Sequence, residues 1–212
     1  MQIDIWSDIA CPWCYLGKRR LEAALASFGD AEDVAVRWHS FELDPGAPAA
    51  YEGDHADRIA RKYGRSCEEV EASLASMRAM AAAEGLELNF DRVRAGNTFD
   101  GHRLLQLAFE HGLQDAMKER LMRAHHTDGE LVSDHAVLLR LAAETGLPPD
   151  AVEEMLAGDA YGQQVREDEH TAQRLGIDAV PFFIIDRRLA ARGALDAPQL
   201  LGALQQAAAS PA

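Results

Sequence analysis

Two cysteines separated by two residues are the part of this sequence best suited to chemistry. The motif Cys-Pro-Trp-Cys at residues 11–14 follows a run of alternating apolar residues, Ile3 to Trp6, and precedes a stretch of helical periodicity from Leu16 to Phe28. A helix start presents unpaired backbone N–H groups and a partial positive charge, and both stabilise a thiolate. We therefore expect a lowered pKa and a nucleophilic thiol at Cys11, with Cys14 placed to attack a mixed disulfide formed on it.

The same motif could instead supply half of a zinc site. Such a site needs two further ligands, commonly a second close pair of Cys or His residues. The third cysteine, Cys67, stands alone, and His125 and His126 are adjacent rather than at the usual ligand spacing. This His pair is explained more simply by a favourable interaction with the negative end of a helix. We therefore favour redox chemistry and expect no metal.

A second candidate site element lies late in the chain, where Val180 and Pro181 open an apolar run over residues 179–186. Proline is tolerated at the start of a strand because its missing N–H is not needed there. About nineteen in twenty X–Pro bonds in folded proteins are trans, so these residues by themselves favour an ordinary edge-strand proline.

The elements that position these residues form three blocks. A strand–helix–strand unit comes first, with its second strand predicted over residues 34–43. Helical periodicity then dominates, and the predicted helices span residues 57–63, 66–84, 97–110, 114–127, 134–145, 149–156 and 161–175. Two strands, over residues 179–186 and 189–192, and a C-terminal helix complete the chain, with an Ala-rich tail at residues 207–212 that we expect to fray.

This order predicts an α/β protein with a thioredoxin fold, a central mixed sheet flanked by helices, and a large all-helical insertion. The Pro- and Gly-containing turn at residues 45–48 marks the first boundary. We expect residues 1–46 and 162–212 to form the thioredoxin-like domain and residues 47–161 the helical insertion domain. Candidate helix caps within the insertion are Ser66 with Glu69, Asn97 and Ser133.

Composition limits the partners. The chain has 212 residues, 48% of them hydrophobic, and a net charge of −14, which disfavours binding to nucleic acid or to an anionic membrane surface. No apolar run approaches the roughly 18 residues of a membrane span. The N-terminus enters a strand at once and shows no secretory signal, so we expect a cytoplasmic protein, where a C-x-x-C motif is typically catalytic or redox-sensing.

Four segments sharpen the prediction when they are taken together. They are CPWCYLG at 11–17, FELDP at 41–45, NTFDGHRL at 97–104 and VPFF at 180–183. In this order they resemble the DsbA-like thioredoxin family, in particular the FrnE-type branch of cytoplasmic dithiol–disulfide oxidoreductases. That branch is related to the 2-hydroxychromene-2-carboxylate isomerases and the kappa glutathione transferases. The resemblance covers residues 3 to about 204, and one departure is Gly101, where we expect alanine.

The resemblance implies a role for each matching position. Cys11 corresponds to the nucleophilic cysteine, Cys14 to the resolving cysteine and Pro181 to a cis-proline beside the active-site disulfide. The backbone of Val180 corresponds to the segment that pairs with a bound peptide or glutathione. Further candidate substrate-binding residues are Pro12, Trp13, which either shields the sulfurs or packs, and Asn97, which is more simply an N-cap.

Weaker candidates have simpler structural explanations. Glu42 and Asp44 could accept a proton from Cys14, although solvated loop carboxylates are the simpler interpretation. His102 is most simply a core or surface histidine. Cys67 is expected to be a small buried apolar residue of the helical block, with a regulatory thiol as the alternative.

Two classes of enzyme fit these residues. The first is a thiol–disulfide oxidoreductase or isomerase acting on protein or low-molecular-weight disulfides, with the Cys11–Cys14 disulfide as its redox group and no bound cofactor. The second is a glutathione-dependent isomerase or transferase, in which glutathione is a co-substrate and no resolving thiol is needed. The presence of Cys14 favours the first class and disfavours a non-catalytic binding module. The oligomeric state stays open, a dimer included.

Overall fold

The structure is a computed structural model that describes residues 1–29 and 33–209. Within them, strands form one mixed sheet in the order β2–β1–β3–β4. The strands are β1 (Gln2–Ser7), β2 (Ala35–Ser40), β3 (Phe182–Ile185) and β4 (Leu189–Arg192). The central strand β1 runs parallel to β2 and antiparallel to β3, which in turn pairs antiparallel with β4.

Most of the remaining described chain is helical. The helices are α1 (Pro12–Ala26), α2 (His55–Tyr63), α3 (Cys67–Ala83), α4 (Phe99–Glu110), α5 (Gln114–Arg123), α6 (His135–Glu144), α7 (Pro149–Ala157), α8 (Gly162–Leu175) and α9 (Ala197–Ala209). A π-helical turn, Ala124–Asp128, extends α5. No helix of the described chain is both long and apolar enough to span a membrane.

The core consists of apolar clusters around the sheet and within the helical block. Ile3, Ile5 and Phe183 of the sheet pack with Leu21 of α1 and Leu204 of α9. A separate cluster joins α4, α5, α6 and α7 through Leu104, Leu121, Leu138 and Val152. Since α5 and α8 also contact β2, the helical block rests directly on the sheet. This is the thioredoxin fold with helical insertions that the sequence predicts.

Several predicted boundaries move by a few residues. Helix α1 begins at Pro12, four residues before the apolar periodicity, because proline suits the first helical turn where its N–H has no partner. The second strand ends at Ser40 rather than at residue 43. The tail predicted at residues 207–212 begins inside α9, which continues to Ala209. Residues 210–212 of this tail lie outside the described chain.

The helix caps are partly as predicted. Ser66 and Glu69 form the expected capping box at the start of α3. Asp134, rather than Ser133, caps α6, since its Oδ1 accepts a hydrogen bond from the Ala136 N–H at 2.9 Å. The Ser133 hydroxyl instead donates to the Ala49 carbonyl, which connects α6 to the loop before α2.

Candidate active site

The two cysteines lie together at the start of α1. Cys11 is the N-cap residue in an extended conformation, with φ −92° and ψ 112°, and Pro12 is the first helical residue. The Cys11 carbonyl accepts hydrogen bonds from the N–H groups of Cys14 at 3.0 Å and Tyr15 at 3.3 Å. Both cysteines are free thiols, and Cys11 is 4% exposed whereas Cys14 is fully buried. Cys11 is thus the more accessible of the pair.

The segment before β3 meets α1 at this point. The Cys11 Sγ donates a hydrogen bond to the Val180 carbonyl at 3.7 Å, and the Val180–Pro181 peptide bond is cis. A Cβ atom at Gly17 would lie 2.9 Å from Cγ of Pro181, closer than real Cβ contacts. Glycine at position 17 therefore allows α1 to approach the proline ring.

A cavity of about 310 Å³ opens beside Cys11, between the start of α1 and the helices α2 and α3. Pro12 and Trp13 line it, and Trp13 is 44% exposed, so its indole borders the cavity rather than filling a core position. Leu43 and Tyr63 are also exposed and line the same cavity. The site thus combines a nearly buried sulfur with an accessible, largely apolar entrance.

Asn97 is a candidate that the structure separates from this cavity. Its neighbours Gly96 and Thr98 are among the lining residues, but Asn97 is not. Its Oδ1 accepts from the Phe99 N–H at 2.8 Å, and its Nδ2 donates to the Ala47 carbonyl at 3.4 Å. Thr98, not Asn97, is the N-cap residue of α4, so the N-cap prediction for Asn97 is wrong by one residue; its side chain closes the turn just before the helix.

The electrostatics of the dithiol differ from the sequence-based expectation. The hydrogen bond with Cys14, followed by burial, raises the pKa of Cys11 well above its usual value, and the charge of Asp8 acts in the same direction. The Cys14 backbone N–H at the helix start lowers this pKa but is outweighed. Two adjacent thiolates in an apolar site repel each other, so the buried pair carries one thiolate at most.

Asp8 is a buried carboxylate that is not among the residues predicted from the sequence. Its oxygens accept hydrogen bonds from the Leu43 N–H at 2.8 Å and from Nε2 of His102 at 3.3 Å. Burial acts to raise the pKa of Asp8, but the hydrogen bond and charge of His102, with the Leu43 N–H and Lys118, lower it to about 2. Asp8 is therefore ionised at neutral pH. His102, fully buried, holds this charge in place.

Lys118 of α5 is a second buried charge that is absent from the residues predicted from the sequence. It is fully buried, and its Nζ donates to the Ser7 carbonyl at 3.3 Å and lies 5.6 Å from the centre of the Trp38 ring. Burial lowers the pKa of Lys118 to about 8, against the opposing charges of Cys14, Asp8 and Cys11. A cation that titrates near neutral pH thus lies within electrostatic reach of the dithiol.

A signal for Lys118 is present in the sequence. Positions 114, 118, 121 and 122 share one helical face, and three of them hold Gln114, Leu121 and Met122, all buried. A lysine on that face is a candidate buried cation. A single lysine on such a face does not by itself indicate a role at the dithiol, because the distance between the helix and the cysteines is set by packing.

Glu42 and Asp44 lie in different environments. Glu42 is buried, so its assignment as a solvated loop carboxylate is wrong, and it pairs with Arg166 of α8. Burial raises the pKa of Glu42. Asp44 is more exposed, lines the cavity and accepts a hydrogen bond from the Tyr51 hydroxyl at 2.7 Å.

Two further expectations need correction. Cys67 is exposed at the start of α3, where its Sγ donates to Asp57 at 3.3 Å, because this helix turns its first residue to solvent. His125 and His126 are buried, and burial lowers the pKa of His125 to about 4 and that of His126 well below its usual value. They are uncharged at neutral pH and cannot act as cations at a helix end. Over the described residues, no cluster of three or more His, Cys, Asp or Glu side chains could hold a metal ion.

Comparison with known proteins agrees with the thioredoxin fold described above. A family model for the DSBA-like thioredoxin domain matches residues 2–205. The structure of the probable DsbA oxidoreductase SCO1869 from Streptomyces coelicolor is 42% identical, with a TM-score of 0.95 over 100% of this chain and 92% of that one. The cytosolic disulfide reductase DsbM from Pseudomonas aeruginosa, solved with GSH, is 20% identical, with a TM-score of 0.66 over 98% and 95% of the two chains. A 2-hydroxychromene-2-carboxylate isomerase is 16% identical, with a TM-score of 0.71 over 100% of both chains. The last two likenesses concern the fold.

Proposed function

The chain belongs to the DsbA-like thioredoxin domain family, and we propose that it is a FrnE-type dithiol–disulfide oxidoreductase or isomerase. One observation carries this proposal. Two free cysteines share the start of α1, and the more accessible sulfur, that of Cys11, lies against the Val180 carbonyl and lines an open cavity. In this arrangement a substrate can reach the sulfur of Cys11, while the sulfur of Cys14 is more deeply buried.

The reaction proceeds by two exchanges. The Cys11 thiolate attacks one sulfur of a substrate disulfide, which forms a mixed disulfide and releases the first substrate thiolate. Cys14 then attacks Cys11, which releases the second thiolate and leaves the Cys11–Cys14 disulfide. The protein loses two electrons, the substrate gains them, and the two protons of the cysteines pass to the two product thiols. The reverse sequence oxidises a dithiol substrate.

Nearby buried charges govern how readily a thiolate forms. The positive charge of Lys118 attracts a thiolate on either cysteine, whereas the negative charge of Asp8 opposes one at Cys11. Lys118, with a pKa of about 8, is also able to exchange a proton as the sulfurs change charge. We assign Lys118 and Asp8 as positioning residues that tune the dithiol.

The substrates we propose are protein disulfides or low-molecular-weight thiols and disulfides, with glutathione as a candidate co-substrate. The Val180 backbone, beside Cys11, can pair with an extended substrate backbone by strand-like hydrogen bonds. We also propose a cytoplasmic location, in line with the description of the Pseudomonas protein as a cytosolic reductase solved with GSH. In a reducing compartment a C-x-x-C pair is typically catalytic.

A glutathione-dependent isomerase or transferase is the second candidate. The fold shared with a 2-hydroxychromene-2-carboxylate isomerase supports keeping it. In that chemistry one residue at position 11 activates bound glutathione, and Cys14 has no role. The retention of two cysteines at the helix start favours the oxidoreductase.

Single cysteine variants test the proposal. Wild-type protein should catalyse thiol-dependent reduction of insulin, Cys11→Ser should abolish the activity, and Cys14→Ser should accumulate a mixed disulfide at Cys11 visible by mass spectrometry. Glutathione-dependent double-bond isomerisation that survives Cys14→Ser would support the second candidate instead.

A further inference from the structure

We propose that the cavity beside Cys11 is a binding site for small disulfides and thiols that carry a carboxylate, and that Arg58 of α2 holds this carboxylate. The inference rests on the proposed dithiol chemistry and adds the class of substrate to it. Cys11 and Arg58 line the same cavity. A ligand held by its charged end at Arg58 would therefore present its sulfur within the space that Cys11 also borders.

The size of the cavity favours a small molecule. Its volume of about 310 Å³ falls in the range of roughly 300–1,000 Å³ that ligand pockets occupy. Residues of α2 and α3, such as Ile59 and Leu74, line it together with the start of α1. The Cys11 sulfur is nearly buried at this cavity rather than displayed on a flat surface. A compact disulfide can enter such a space more readily than a folded protein surface can.

Arg58 has donors left over for a ligand. Its guanidinium forms no salt bridge with any described carboxylate, and its Nε is buried without a hydrogen-bond partner in the described chain. Nη2 donates to Nδ1 of His55 at 3.3 Å, and the guanidinium carbon lies 5.0 Å from the centre of the Tyr51 ring. Stacking on the ring restrains the side chain and leaves its fork of N–H groups available, a geometry suited to a carboxylate.

The other charged side chains that line the cavity are Lys62, Asp44 and Asp8. Lys62, one turn after Arg58 on the same face of α2, lies 4.0 Å from the carboxylate of Asp44. Asp8 is hydrogen-bonded to His102 and keeps its negative charge. Arg58 therefore supplies a positive charge to the cavity that no described ion pair compensates.

The two histidines that line the cavity add no charge. Burial, followed by the charge of Arg58, lowers the pKa of His55 to about 4, and burial lowers that of His125 to about 4. Both imidazoles are neutral at neutral pH. The lining thus offers an anionic group one guanidinium without an ion pair, at Arg58, whereas the charge of Asp8 opposes a negative charge at the Cys11 end.

Three small disulfides that differ in charge test the inference. They are 3,3′-dithiodipropionate, which is anionic, bis(2-hydroxyethyl) disulfide, which is neutral, and cystamine, which is cationic. Reduced Cys67→Ser protein is mixed with each, and formation of the Cys11–Cys14 disulfide is followed by acid quench, alkylation and mass spectrometry. Each rate is divided by that of dithiothreitol with the same compound, which removes differences in intrinsic reactivity.

We expect the anionic compound to react about tenfold faster than the neutral one and the cationic one to be slowest, since a charge-assisted hydrogen bond contributes roughly 1.4 kcal/mol or more. The preference should weaken at high ionic strength, because the attraction is screened. These measurements need no cavity variant, so they decide the question even if a substitution impairs folding.

Variants of α2 locate the effect. Arg58→Gln should remove most of the anionic-to-neutral rate ratio, and Arg58→Lys should retain part of it. Arg61→Gln removes the same charge from an exposed position of α2 outside the cavity and should leave the ratio unchanged. Equal rates for the three compounds, or equal losses in the two Gln variants, would overturn the role of Arg58. Failure of all three compounds to oxidise the dithiol would instead contradict the proposed function and this inference with it.

Discussion

The Sγ atom of Cys11 lies 3.7 Å from the carbonyl oxygen of Val180, although 169 positions separate the two residues in the sequence. The hydrogen bond joins the first helix to the segment that leads into β3. Pro181 follows directly and packs against Gly17 of the same helix. The first and last parts of the chain therefore form one site, whose geometry depends on how closely α1 approaches residues 180–181.

Gly17→Ala should destabilise the protein and slow its reaction with disulfides. The added methyl group would overlap the Pro181 ring, and relief of such overpacking costs about 1–3 kcal/mol. Gly202→Ala is the matched control, because a Cβ at this helical position of α9 meets no atom within 4 Å. There the higher helix propensity of alanine should stabilise the fold by up to about 1 kcal/mol. The change in melting temperature relative to wild type measures the effect of each variant on stability. Equal changes in the two variants would refute the close contact between position 17 and Pro181.

Asp8→Asn and Lys118→Met should shift the titration of the dithiol in opposite directions. Loss of the Asp8 charge removes a repulsion and should lower the pKa at which a thiolate forms. Loss of the Lys118 charge removes an attraction and should raise it. The ultraviolet absorbance of the thiolate, followed against pH in a Cys67→Ser background, measures both. Shifts of the same sign would contradict the electrostatic role of this pair, since a general loosening of the site cannot produce opposite signs.

His39 should stabilise the fold more in mild acid than in base. Its Nε2 lies 2.8 Å from Asp4 and its Nδ1 2.7 Å from Asp168 of α8. Burial acts to lower the pKa of His39, but Asp168 and Asp4 raise it above its usual value. The stability that His39 contributes is therefore fully present below about pH 6.5, the pKa of histidine in the unfolded chain. This stability is lost as the pH rises through the raised pKa of His39 in the folded protein.

The variant His39→Gln measures this contribution. Its free energy of unfolding should fall below that of the wild type by roughly 1.5–3 kcal/mol at about pH 6, and by less at about pH 9. His135→Gln, at an exposed histidine that also contacts a carboxylate, is the control and should cost less. A difference between wild type and His39→Gln that stays constant with pH would show that the imidazole acts by packing alone.

Cys67 should be the thiol that remains reactive when the protein is oxidised. It is exposed, whereas Cys11 and Cys14 are consumed in the proposed disulfide. One thiol per chain should therefore react with a chromogenic disulfide reagent after oxidation, and Cys67→Ser should remove it without loss of activity. Lost activity in that variant would indicate a part in the reaction for Cys67.

The sequence by itself determined the redox motif, the order of the elements and the family. These are local or ordered signals: the spacing of Cys11 and Cys14, the switch between strand and helix periodicity, and the serial occurrence of four motifs. The capping box of Ser66 and Glu69 was equally predictable, because its residues are three apart and act on one helix turn.

Only the tertiary structure decided how the site is charged. Asp8 lies in the loop between β1 and α1, and Lys118 lies in α5. Both affect the dithiol because packing excludes water from these two residues and from the two cysteines. The hydrogen bond with Cys14, followed by burial, raises the pKa of Cys11 although its place at a helix start predicts the reverse. Arg58 belongs to the same site because α2 borders the cavity that Cys11 also lines. Desolvation and charge pairing depend on distances between residues far apart in the chain, and no local pattern encodes those distances.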